Sequence, residues 1–113
     1  AYFSKLLLID VFKWYNFLVV TSDFHLDRSK VIFDYIFKND KYYLDYHSCD
    51  FESKHPYLES RIIKEKKSLL NFQNLINSLD NFEDFHKWIY SEHQCYISKP
   101  HKKVKLDNKM LYC

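Results

Sequence analysis

Asp34, Asp45 and His47 are the residues whose types and spacing come closest to a metal-binding or acid–base set. The runs 30–37 and 41–47 are rich in aromatic and β-branched residues and flank Lys38-Asn39-Asp40, a β-hairpin pattern. With the turn centred on Asn39-Asp40, Phe37 faces Tyr42 and Asp34 faces Asp45, with His47 on the same side. Two carboxylates directly opposite one another repel unless a cation lies between them. Carboxylates with an imidazole are reasonable ligands for a divalent metal. The plainer and commoner reading of the same pattern is the solvated side of a hairpin.

His-x-Cys occurs twice, at His47-Ser48-Cys49 and His93-Gln94-Cys95. On a strand, residues two apart point the same way, so each pair could chelate from one face. Two His and two Cys form a permissible zinc set, although the spacing is not that of the usual zinc knuckle. A Cys49–Cys95 disulfide and two unrelated partly buried thiols are the competing readings. Either Cys with its neighbouring His could also form a nucleophile–base pair, but no local signature supports this. Glu65-Lys66-Lys67, with Asp50 upstream, resembles the Glu-x-Lys element of metal-dependent nucleases. That element belongs on a strand, whereas here it falls in the strongest helical pattern of the chain. The cofactor expectation is therefore none, with zinc or another divalent metal as the alternative.

Basic and aromatic residues suggest a second chemistry. Lys102, Lys103 and Lys105 lie in a basic tail (99–113), and Arg61, Lys64 and Lys67 share one face of a helix. Together they could contact phosphate. Tyr43, beside Lys41, could stack on a base, but its neighbour Tyr42 falls on the core side of the hairpin, which leaves a poor platform. A terminal charge run is more often a solubilising end.

These residues must be held by a definite set of elements. Residues 2–15 read as a helix with Lys5, Asp10, Lys13 and Asn16 on one side and apolar residues over the rest. Residues 17–21 read as a strand and 22–29 as a turn. The hairpin follows, its core face carrying Val31, Phe33, Tyr35, Phe37, Tyr42, Leu44 and Tyr46. From Leu58, apolar residues recur at helical spacing through Ile62, Leu69, Phe72, Ile76 and Leu79. Asp80-x-x-Glu83 resembles a capping box opening a further helix with Phe82, Phe85, Trp88 and Ile89 inward. Residues 94–98 could form a closing strand. The expected fold is a small two-layer α+β domain. It has an N-terminal helix, a three-stranded antiparallel sheet with a central hairpin, and two further helices. Residues 1–98 form one globular domain, followed by the tail.

Composition bounds the function. Of 113 residues, 47% are hydrophobic and 19% aromatic, enough for a core. There is no Gly, which excludes phosphate-binding Gly loops, the dinucleotide fingerprint and the nucleophile elbow. Abundant Phe, Tyr, Ile, Asn and Lys indicate an AT-rich genome, so Lys and aromatic richness reflects codon usage as much as binding. The net charge of +2 is uneven, with a basic tail on a mildly acidic body. Three Cys, an odd number, fit a reduced, cytoplasmic setting better than a secreted disulfide framework. Charges interrupt the apolar N-terminal segment, so neither a membrane span nor a membrane partner is expected.

The function expected from all this is a small non-enzymatic factor that binds another protein. A phage or mobile-element inhibitor of a host defence enzyme, or a toxin-immunity protein, are examples. The alternatives are a metal-dependent, nuclease-like enzyme built on Asp34, Asp45 and His47, and a nucleic-acid-binding module using the Lys-rich tail.

Overall fold

A computed structural model describes residues 1–51 and 54–93. The chain divides into two compact units, 1–75 and 76–113. The first is built around a strand–helix–strand unit. Helix α1 (2–12) is followed by β1 (Asn16–Ser22), a 3₁₀ turn (Asp23–His25), α2 (Leu26–Ile36), β2 (Tyr43–Cys49) and α3 (Leu58–Ser78). In the second unit, α4 (Phe82–Ser91) follows the end of α3.

The class expected from sequence, α+β, holds. The three-stranded antiparallel sheet does not. Among the described residues there is one sheet of two strands, and β1 and β2 run parallel, with Asn16 beside Tyr43 and Ser22 beside Cys49. The segment 30–37, expected to be the first hairpin strand, belongs instead to α2. Parallel strands cannot be joined by a tight turn and need a crossover of a dozen or more residues, usually a helix. Once β1 pairs in parallel with β2, residues 23–42 must make that crossover. Aromatic and β-branched residues here give way to tertiary context.

A helical signal was nonetheless present. Asp27, Lys30, Asp34 and Lys38 are all exposed and recur at spacings of three and four, while Ser29, Ile36 and Phe37 are buried between them. Phe37 still meets Tyr42, with ring centroids 5.1 Å apart, but as the residue ending a helix rather than as a hairpin partner. The polar reading of 22–29 as a turn becomes the 3₁₀ turn and the first part of α2. Residues 94–98 and the tail 99–113 lie outside the described residues.

α2 covers one face of the sheet. Phe17 packs edge-on against Phe37 at 4.8 Å, and the Tyr46 hydroxyl donates to Asp34 at 2.5 Å. Burial and that hydrogen bond together push the Tyr46 phenol above its ordinary range. Asp34 therefore meets Tyr46, not Asp45. The strands alternate as a one-sided sheet should. On β2, Leu44, Tyr46 and Ser48 are half-buried, and Tyr43, Asp45, His47 and Cys49 are exposed.

Helix α1 stops at Phe12 rather than at residue 15. Lys13 closes it in the left-handed region (φ 56°), and the Trp14 N–H reaches back to the Ile9 carbonyl at 3.0 Å. This is a Schellman-type ending normally given to Gly, which the chain lacks. α3 shows the stripe read from sequence, half-buried from Leu58 through Leu79, with Lys64, Lys67, Asn71 and Asn74 exposed. α4 buries Phe85 and Ile89. Its cap is one residue later than the sequence suggests. Asn81, not Asp80, accepts from the Asp84 N–H at 2.9 Å.

Candidate functional site

Two clusters bring charged side chains together in the first unit. The middle of α1 (Lys5–Ile9) is π-helical, with the Asp10 N–H bonded to the Lys5 carbonyl. Side chains five apart do not share a face of an α-helix. The wider turn brings Lys5 and Asp10 together, Nζ to Oδ2 at 2.6 Å. The buried Tyr42 hydroxyl also donates to Asp10, and Lys5 lies over the Tyr42 ring at 5.5 Å. Burial opposes charge on both residues, but the mutual hydrogen bonds outweigh it. Asp10 is held below, and Lys5 above, its ordinary pKa.

At the carboxyl end of β1, His25 and Arg28 meet Glu65 of α3. Arg28 grips both Glu65 oxygens, Nε at 2.6 Å and Nη2 at 3.0 Å, and His25 Nδ1 lies 2.7 Å from Oε2. Arg28 Nη2 lies 3.3 Å from both ring nitrogens of His25. The imidazole, the guanidinium and the carboxylate thus form one compact cluster. The cluster ties α2 to α3. Glu65 occupies a position of the apolar stripe of α3, between Ile62 and Leu69. A carboxylate there demands a cation, and that was the sequence signal for the pairing with Arg28.

The residues singled out from sequence are dispersed. Asp34 is on α2, while Asp45, His47 and Cys49 lie along the open face of β2. His93 follows α4 in the other unit, where burial lowers its pKa against the opposing effect of a backbone hydrogen bond. Cys95 lies outside the described residues. Among the described residues no three His, Cys, Asp or Glu side chains converge on a point that could hold a metal. Tyr43 is exposed at the start of β2, and Lys64 and Lys67 are exposed on α3, where Arg61 is half-buried. Lys102, Lys103 and Lys105 lie outside the described residues. A shallow depression at the start of α3, bordered by His55, Leu58, Ile62 and Lys66, is open to solvent.

The feature that sequence reasoning missed is on α1. Its charged pair turns toward Tyr42, so the apolar residues face outward. Leu7 is 67% exposed, Val11 64% and Phe12 59%, and Trp14 (53%) stacks on Phe12 at 5.2 Å. Only Tyr2 and Ile9 of this helix are buried. The helical wheel placed Lys5, Asp10, Lys13 and Asn16 on one side of a single helix, whereas the helix ends at Phe12, Asn16 opens β1, and the apolar residues divide between buried Ile9 and exposed Leu7, Val11 and Phe12. The inward turn of Lys5 and Asp10 depends on the π turn and on Tyr42, which an α-helical wheel does not contain. Large exposed apolar patches mark interaction surfaces in folded proteins. No helix of the described residues is long and apolar enough to cross a membrane. Comparisons of the chain with family models, with curated proteins and with solved structures found no match.

Proposed function

We propose that the protein is a small protein-binding factor whose docking surface is the outward face of α1 and the aromatic pair that follows it. The observation supporting this reading is the inverted amphipathicity of α1. Leu7, Val11, Phe12 and Trp14 are exposed while Lys5 and Asp10 are paired inward. Aromatic and large apolar side chains are the usual anchors of interfaces, and Trp is the most enriched of them at hot spots. An apolar helix face matches recognition in which a helix lies against a groove of its partner. An inhibitory or immunity role is a finer form of this reading, and the partner's identity decides it.

The test compares the tagged full chain with Leu7→Asp/Val11→Asp, each used to capture partners from nuclease-treated lysate of the native host. Far-UV circular dichroism checks that both are folded. The expected result is a stoichiometric protein retained by the wild type and lost by the variant. A partner held equally by both would move the surface away from α1. No protein partner at all would overturn the reading.

A further inference from the structure

Among the described residues, no strand pairs with the outer edge of β1. The Tyr43 N–H donates to the Tyr15 carbonyl at 2.7 Å, and Asn16 is the residue beside Tyr43. In a parallel pair this means that the odd-numbered residues of β1 turn their main-chain groups to β2. Asn16, Leu18, Val20 and Ser22 turn theirs to the free edge. Free edges are normally guarded by Lys, Pro, a bulge or an inward charge. β1, Asn-Phe-Leu-Val-Val-Thr-Ser, has none of these. β2 differs in carrying Asp45 and His47 on its open face.

We infer that the β1 edge pairs with β1 of a second copy, antiparallel and centred on Val19. The sequence of the strand is self-complementary about that residue. Asn16 falls opposite Ser22, Phe17 opposite Thr21 and Leu18 opposite Val20, so polar meets polar at the ends and no charge enters. The hydrogen-bonding parity agrees, because Leu18 and Val20 both present their main chain to the edge. On the open face of the sheet, Leu18 (55% exposed) and Val20 (57%) become cross-strand neighbours. The product is a four-stranded sheet in the order β2-β1-β1-β2 with isologous two-fold symmetry. The surface used is not the one assigned to a protein partner on α1, so the two readings fail separately.

The test is sedimentation of the purified full chain and of two charge variants, Leu18→Lys/Val20→Lys and Leu18→Glu/Val20→Glu. Both altered residues are solvent-facing, and circular dichroism confirms that the variants fold. In the inferred register each variant sets like charges opposite one another twice, and an equimolar mixture sets Lys opposite Glu twice. The expected result is a wild-type dimer, a dissociation constant raised at least about 100-fold in each variant, and recovery of the dimer in the mixture. A wild type that stays monomeric far above about 1 μM overturns the inference. So does a dimer that persists in both variants, or a mixture of folded variants that does not reassociate.

Discussion

Single residues do much of the holding, because among the described residues few side chains are deeply buried. Asp10 illustrates it. Its carboxylate joins Lys5 on its own helix to the Tyr42 hydroxyl just before β2. Burial disfavours its charge, but the hydrogen bonds to Lys5 and Tyr42 prevail and lower its pKa. A carboxylate whose folded pKa lies below its unfolded value stabilises the fold fully above the ordinary Asp value of about 4. That contribution disappears as pH falls through the lowered value. Lys5, raised, contributes in the opposite window. Its share is intact below its ordinary value and lost as pH rises through the raised one. Asp10→Asn removes the ion pair at every pH. The urea midpoint of the variant is therefore expected to lie below the wild type at pH 6, and the gap to close as both are taken below about pH 4. A gap independent of pH in that window would show that the carboxylate charge does not hold Tyr42. None of this was legible in the sequence. Lys5 and Asp10 looked like members of one solvated stripe, and only the π turn makes them partners.

At the scale of elements, the sequence was readable where a periodic stripe was long and misleading where it was short. α3 runs 21 residues, and its stripe identifies it without ambiguity. The run 30–37 alternates like a strand and also fits a helix, so periodicity alone could not decide. The decision comes from the parallel pairing of β1 with β2, a long-range fact that leaves no local trace. The start of α4 shows the same limit in miniature. Asp80 and Asn81 are both good N-caps, and spacing to Glu83 favours the first. The backbone selects the second, since Asn81 is extended and its side chain accepts from the Asp84 N–H. Asn81→Ala is accordingly expected to cost about 1 kcal/mol of stability, measured by urea denaturation, and Asp80→Ala much less. Equal costs, or the reverse order, would return the cap to Asp80.

For the molecule as a whole, the balance between apolar content and apolar burial is the informative quantity. Nearly half of the chain is hydrophobic, yet among the described residues no large side chain is fully buried, and those that come closest are few. Two parallel strands with one open face are an unusual end state, because parallel sheets are ordinarily covered on both sides. Such a body gains stability from whatever binds it, and a second copy paired on the β1 edge, as inferred above, would add its main-chain hydrogen bonds and the Leu18–Val20 contacts by mass action. Binding that involves only the folded state adds RT ln(1 + [L]/Kd), about 2.7 kcal/mol when the partner is at about 100 times Kd. A change of 1 kcal/mol moves the midpoint of a domain this small by roughly 4–8 °C. Thermal unfolding of the wild type is therefore expected to move up by roughly 10–20 °C between dilute solution and about 100 times Kd. Leu18→Lys/Val20→Lys should melt at one temperature throughout, near that of the dilute wild type, because its exposed substitutions remove the association and leave the interior alone. A wild-type midpoint that ignores concentration would mean that the sheet edge stays unpaired, and that the stability of this thin core comes from within the chain.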